Sequence, residues 1–88
     1  MNLKLDNVVK VYSGKRGCMC GCNGTYKYAT AHQDECGYEP ETSDRACKRM
    51  FNIFKADPDD WKLDFVANCV YREVATRINV IYFKEENQ

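Results

Sequence analysis

Three cysteines at alternate positions, within the glycine-rich stretch of residues 17–24, are the side chains of this sequence best suited to chemistry. Alternate residues of an extended strand point to the same face, so the three sulfurs can lie side by side. The glycines of this stretch allow the backbone to bend where other residues would be strained. Thiolates grouped in this way are typical ligands of a structural zinc ion. The three residues are Cys18, Cys20 and Cys22.

Two further candidate zinc ligands, His32 and Cys36, follow in the polar stretch of residues 31–42. A structural zinc ion takes four thiolate or imidazole ligands, so this pair together with members of the cysteine group would complete a site. A metal bound there would tie the polar stretch to the cysteines and would stabilise a chain with a small core. Neighbouring cysteines are separated by one residue instead of the usual two, and three of them compete for two positions. The sequence therefore predicts a zinc site without fixing its ligands.

Two other uses of the cysteines stay open. Reduced cysteines also pack as small apolar residues, which would make residues 17–24 a structural turn. Redox or nucleophilic chemistry is the third interpretation, with His32 as the partner of a reactive thiol. No Cys-x-x-Cys pair stands at a helix start, where the pKa of a thiol would be lowered, so we expect no enzymatic activity. For Cys47 and Cys69, which lie in apolar patterns, we expect packing in the core.

Basic and aromatic residues on either side of the cysteines form a second candidate site. Successive backbone N–H groups of a glycine-rich segment can hold an anion, and tyrosine rings beside cations can stack with nucleic-acid bases. The chain carries 13 basic and 13 acidic residues, however, which argues against nucleic-acid binding through bulk charge. A protein is therefore favoured over a nucleic acid as the partner. The candidate partner-binding residues are Lys15, Arg16, Tyr26 and Tyr28.

Length and composition predict one small domain that spans residues 1–88. A chain of 88 residues has room for one modest core. The sequence is charged from Lys4 onward and begins with no apolar run that could act as a signal peptide, so we expect reduced cysteines in a cytoplasm. No apolar run approaches the roughly 18 residues that a membrane span requires. The sequence therefore predicts a cytoplasmic protein that does not enter a membrane.

The first half of the chain predicts a hairpin. Residues 3–12 are rich in Val and Leu and predict a strand, with Val9 and Val11 on one face and a turn at residues 13–17. Residues 25–30 alternate aromatic and polar side chains and predict a second strand. The cysteine stretch would then lie at the tip of the hairpin that these strands form.

The second half of the chain predicts a helix and another hairpin. Ser43 is a good N-cap for a helix over residues 43–56, which has apolar residues on one face and ends before Pro58. Residues 69–74 and 77–83 are β-branched and aromatic, and the short connection between them fits a hairpin. The predicted fold class is α+β, in the order β-β-α-β-β, with one helix packed on one face of a small antiparallel sheet.

Residues 11–26 read VYSGKRGCMCGCNGTY and resemble a motif found in small bacteriophage-encoded proteins with no assigned activity. The resemblance extends to the helix that ends in Ala56-Asp57-Pro58 and to the final strand, so it covers only part of the chain. It implies a phage product that acts in the cytoplasm of a bacterial host. It provides no assigned activity that could be carried over to this chain.

These observations lead to three functional hypotheses. The first is a non-enzymatic, cysteine-rich binding module whose zinc-tied hairpin tip binds a host protein; the phage resemblance adds inhibition of a host defence system as one such role. The second is a nucleic-acid or nucleotide binder that uses the basic and tyrosine residues, and the third is a cysteine-based enzyme. An exposed edge strand could support a homodimer, so a monomer and a homodimer both stay open.

Overall fold

The structure is a computed structural model that describes residues 2–15, 40–74 and 77–85. These residues form one helix packed against a four-stranded antiparallel sheet, which confirms the predicted α+β class. The order of the strands across the sheet is β1-β4-β3-β2, so the first strand pairs with the last. The elements are β1 (Val8–Lys15), α1 (Asp44–Ala56), β2 (Lys62–Asp64), β3 (Cys69–Val74) and β4 (Arg77–Phe83).

The helix α1 begins and ends where its local sequence predicts. Ser43 has an extended backbone, and its Oγ accepts a hydrogen bond from the Ala46 N–H at 3.2 Å. This bond satisfies one of the N–H groups that a helix start leaves without a partner. The helix stops at Ala56, because a residue that precedes a proline, here Asp57, disfavours helical geometry. The buried face consists of Ala46, Cys47, Met50 and Phe51.

The central strand β4 is buried on both faces. It lies between β1 and β3, and every side chain over residues 78–83 is buried. Ile81 lies on the face that α1 covers, whereas Val80 lies on the opposite face. Because successive side chains of a strand point to opposite faces, this one strand contributes to two apolar clusters.

The two apolar clusters lie on opposite faces of the sheet. On the helix side, the Phe54 and Trp61 rings meet edge to face with centroids 5.6 Å apart and extend the cluster beyond the end of α1. The helix-side core consists of Val11, Ala46, Cys47, Met50, Phe51, Trp61, Val70, Ile81 and Phe83. The second core consists of Tyr12, Cys69, Ile78, Val80 and Tyr82.

The bounds predicted for the first strand were wrong at both ends. The strand starts at Val8 and not at Leu3, because the intervening residues Leu5–Asn7 form a 3-10 turn. At its other end, the strand continues through three residues that the sequence predicted as a turn. These residues pair with the first residues of β4, and this pairing outweighs their preference for turns. They are Ser13, Gly14 and Lys15.

The prediction that Val9 and Val11 share one face of β1 was also wrong. Val8 pairs with Phe83 and Lys10 pairs with Tyr82, so β1 has one more residue than β4 at this point. Such a bulge interrupts the alternation of faces along a strand. As a result Val8 and Val11 both pack on the helix-side core, whereas Val9 is 41% exposed.

The second predicted hairpin is confirmed, and a short strand precedes it. Residues Cys69–Val74 pair with Arg77–Phe83, as the sequence predicted. Lys62–Asp64, which the sequence did not assign to a strand, pairs with β3 at one edge of the sheet. The strand predicted over residues 25–30 lies outside the described residues. Within the described ranges, no helix is long and apolar enough to span a bilayer.

Candidate functional site

Most of the residues predicted to bind zinc or a partner lie outside the part of the chain that the structure describes. Of these residues, the structure describes only the backbone of Lys15. It ends β1 in register with Arg77 of β4. Among the described residues, no group of three or more His, Cys, Asp or Glu side chains could hold a metal ion. Zinc binding and nucleic-acid binding therefore stay predictions. The residues outside the description are Arg16, Cys18, Cys20, Cys22, Tyr26, Tyr28, His32 and Cys36.

The two ends of the sheet differ in chemistry. At one end, Val8 pairs with Phe83, and the Phe83 N–H donates to the Asn68 carbonyl oxygen at 2.8 Å. This bond places the β2–β3 turn, residues 65–68, at that end of the sheet. At the opposite end, Arg77 is in register with Lys15 on one side and with Val74 on the other. This opposite end is termed the basic end.

The β2–β3 turn exposes two adjacent large apolar side chains. Phe65 is 67% exposed and Val66 is 94% exposed, and Leu63 in the preceding strand is 40% exposed. Single apolar residues on a surface are common and need no functional explanation. Neighbouring ones that include an aromatic ring are typical of a surface that binds another protein. The turn is therefore a candidate binding surface.

Hydrogen bonds fix the conformation of this turn. The Asp64 Oδ1 atom accepts from the Val66 N–H at 3.0 Å and from the Ala67 N–H at 3.1 Å. Asn68 has a φ of 53°, in the left-handed region that asparagine tolerates better than most residues. Its carbonyl is bonded to Phe83 of β4, as described above. Phe65 and Val66 are thus displayed on a turn whose backbone is already ordered, which lowers the entropy lost on binding.

A row of polar side chains crosses three strands near the basic end. Ser13 of β1, Asn79 of β4 and Arg72 of β3 are in register on the face that α1 covers farther along the sheet. The Ser13 hydroxyl donates to Asn79 Oδ1 at 2.7 Å and accepts from Arg77 Nη2 at 3.4 Å. The Arg72 guanidinium lies over the Trp61 ring, 5.1 Å from its centroid. This row begins where the helix-side core ends.

The two described cysteines are buried free thiols, which confirms that they pack in the core. Burial and the negative charge of Asp64 raise the pKa of Cys69 to about 12. Burial raises the pKa of Cys47, and the carboxylates of Asp44 and Glu41 add to the effect. Both groups are therefore protonated at neutral pH. A nucleophilic cysteine needs the opposite shift, so neither thiol is suited to catalysis.

The cleft that Cys47 lines also differs from an enzyme site. A cleft of about 370 Å³ lies between the start of α1 and the start of β1, where Cys47 is one of its lining residues. Its other lining groups include Asp6, Asp44 and Lys48. Burial and the carboxylates beside the thiol disfavour its ionisation, and their effect on its pKa outweighs that of the Lys48 ammonium group in the same cleft.

Comparison with known proteins adds no family to these observations. No family model, curated protein or solved structure matches the chain. The β2–β3 turn and the basic end are therefore the described surfaces from which a function can be inferred.

Deprotonation of Cys69 should make the stability of the protein fall at alkaline pH. The unfolded thiol has a pKa of about 8.5, whereas the pKa in the folded protein is about 12. Between these values the unfolded chain loses a proton that the folded chain keeps, so the free energy of unfolding decreases as the pH rises. We expect the stability advantage of the wild type over Cys69→Ala to shrink by about 1.4 kcal/mol between pH 7.5 and pH 9.5.

Urea unfolding under reducing conditions at the two pH values measures this difference. Ser43→Ala is the control, because loss of the helix N-cap costs about 1 kcal/mol with no titrating group involved. Its deficit relative to the wild type should be the same at both pH values. An equally constant deficit for Cys69→Ala would contradict the raised pKa of the buried thiol.

Proposed function

We propose that this chain is a small protein-binding module that contacts its partner through the β2–β3 turn. The observation that carries the proposal is the pair Phe65 and Val66, exposed on a turn that hydrogen bonds hold in one conformation. A surface that only had to be soluble would gain from polar residues at these two positions. An interface, in contrast, gains from apolar side chains that are exposed before binding and buried after it.

The exposed side chains of the turn would contribute a substantial part of the binding energy. Burying a side chain such as phenylalanine contributes about 1.5–3 kcal/mol. Because the turn is preorganised, little of this gain is lost to ordering the backbone. Leu63, which leads into the turn and is partly exposed, would widen the apolar contact. Phe65 is therefore the expected hot spot of the interface.

The apolar side chains of the turn indicate the chemistry of the partner. The acidic residues that precede β2 lie at the end of that strand opposite the turn, where Asp60 shares a cleft with Lys62 and Arg72. The partner is therefore a protein whose surface offers an apolar pocket for Phe65 and Val66.

The phage resemblance supports a partner from a bacterial host. A phage product that acts in the host cytoplasm would have a host protein as its target, and a protein of a defence system is one such target. The predicted zinc-tied tip at residues 17–24 follows β1 in the chain, and β1 ends at the basic end of the sheet. Such a tip would supply a contact separate from the β2–β3 turn, and its zinc would supply stability to a small domain.

Replacing the exposed apolar side chains should abolish partner binding without unfolding the protein. The test compares the wild type with the double variant Phe65→Ser/Val66→Ser as immobilised baits in a bacterial lysate, followed by identification of the captured protein by mass spectrometry. The dissociation constant of the purified partner is then measured for each bait. We expect it to rise at least tenfold for the double variant, because a hot-spot residue contributes about 2 kcal/mol or more and about 1.4 kcal/mol corresponds to tenfold.

Val74→Ser is the matched control, since Val74 is an exposed valine at the opposite end of the sheet. This variant should bind within about twofold of the wild type, because it loses one apolar contact outside the interface. Circular dichroism melts confirm that all three proteins are folded. Equal affinity of the double variant and the wild type would overturn the assignment of the turn.

The predicted zinc site is tested by metal content. We expect protein purified without added metal to contain about one zinc ion per chain, and a chelator to lower its melting temperature. Elemental analysis and thermal melts with and without the chelator measure the two quantities. Less than about a tenth of an equivalent of zinc, with an unchanged melt, would contradict zinc binding and leave the turn proposal unaffected.

A further inference from the structure

At the basic end of the sheet, N–H groups remain available to donate, whereas the Ser13 and Asn79 side-chain oxygens already accept hydrogen bonds. Asn79 is only 8% exposed, and its Oδ1 accepts from the Ser13 hydroxyl. The amide nitrogen of Asn79 therefore keeps two N–H groups to donate. The Ser13 oxygen in turn accepts from Arg77. The Asn79 amide and the Arg77 guanidinium thus present donors that are complementary to an anion, while Asp60 and Glu73 line the cleft on the far side of Arg72 together with Lys62.

Arg72 supplies a second guanidinium beside the same amide. Its Nε atom is buried and has no hydrogen-bond partner in the described ranges, and the same is true of Trp61 Nε1. The Trp61 ring packs against the guanidinium and holds it in place. Within residues 2–15, 40–74 and 77–85, neither Arg72 nor Arg77 forms a salt bridge. A buried donor without a partner destabilises the folded protein, and an anion that accepts from it would offset this cost.

The register of the strands brings the two guanidinium groups to opposite sides of Asn79. Arg72 is directly across from Asn79 on β3, about 5 Å away between Cα atoms. Arg77 lies two residues before Asn79 on β4, about 7 Å away on the same face. Both side chains are long enough to reach one group above the amide. Lys15, in register with Arg77, adds a third basic residue at this end of the sheet.

We propose that the basic end binds a phosphate group, held by the guanidinium groups of Arg72 and Arg77 with the Asn79 amide between them. Two fixed positive charges match the charge of about −1.5 to −2 that a phosphate monoester carries at neutral pH. A guanidinium donates paired N–H bonds to two oxygens of the same anion. A phosphate has enough terminal oxygens to accept such pairs from both arginines, whereas a carboxylate has only two oxygens and can accept a pair from one. A free nucleotide carries a phosphate of this kind at its end, whereas each phosphate of a nucleic-acid backbone is a diester with a single negative charge, which matches only one of the two guanidinium groups. Experiment distinguishes the two sources.

The test titrates the full chain with pyrophosphate, with ADP and with a short single-stranded oligonucleotide, at constant ionic strength, using isothermal titration calorimetry. We expect pyrophosphate to bind, and Arg77→Gln and Arg72→Gln each to weaken its binding about tenfold. Arg77 is exposed, so Arg77→Gln retains the fold even if Arg72→Gln does not. Tighter binding of ADP identifies a nucleotide site, whereas tighter binding of the oligonucleotide identifies a backbone site.

Arg45→Gln is the matched control, because Arg45 is an exposed arginine of α1 and its loss changes the net charge by the same amount. It should leave the affinity for pyrophosphate unchanged within about twofold, since bulk charge contributes little at constant ionic strength. Equal weakening by Arg45→Gln and Arg77→Gln would show attraction by bulk charge and overturn the site. Absence of pyrophosphate binding, or equally tight binding of acetate, would overturn it as well.

The Phe65→Ser/Val66→Ser variant should bind pyrophosphate as tightly as the wild type does. The phosphate-binding proposal can therefore fail independently of the protein-binding proposal.

Discussion

The burial of β4 on both faces is the constraint on which the rest of this fold depends. Its side chains over residues 78–83 alternate between the helix-side core and the second core, and its backbone pairs with β1 on one side and β3 on the other. A shift of its register by one residue would exchange the two faces and place Asn79 in an apolar core. The registers of β1 and β3 are therefore fixed as well. This in turn fixes which side chains meet at each end of the sheet.

The candidate surfaces follow directly from where the two cores end. The row of Val11, Ile81 and Val70 is apolar and lies in the helix-side core, whereas the next row is polar and ends in a guanidinium. The side chains that would bind phosphate are thus held by the same ladder that buries the core. At the other end, Asp64 orders the β2–β3 turn, and Phe65 and Val66 remain outside the core. The fold separates an apolar surface from a basic one by the length of the sheet.

Local sequence signals predicted the elements whose limits are set locally. Ser43 and Pro58 define α1, and the run of β-branched residues defines β4, so both were predicted correctly. The start of β1, the bulge at Val9 and the short strand β2 depend on distant pairing partners, which no local pattern contains. The polar row could not be predicted from the sequence for the same reason, because Ser13 and Asn79 are 66 positions apart and meet only through the β1–β4 register. The exposure of Phe65 could not be predicted from the sequence either, since an aromatic residue in this segment equally suits a buried strand. The predicted zinc ligands lie outside the described residues, so the structure leaves that prediction untouched.

Amide hydrogen exchange of β4 tests this account most directly. If β4 is the buried centre on which both ends of the sheet depend, the amides of Val80 and Ile81 should be the slowest to exchange. Their exchange should require global unfolding, with a free energy equal to that measured by urea unfolding. Exchange of these two amides through local opening, at a free energy well below that of Met50 in α1, would contradict the account.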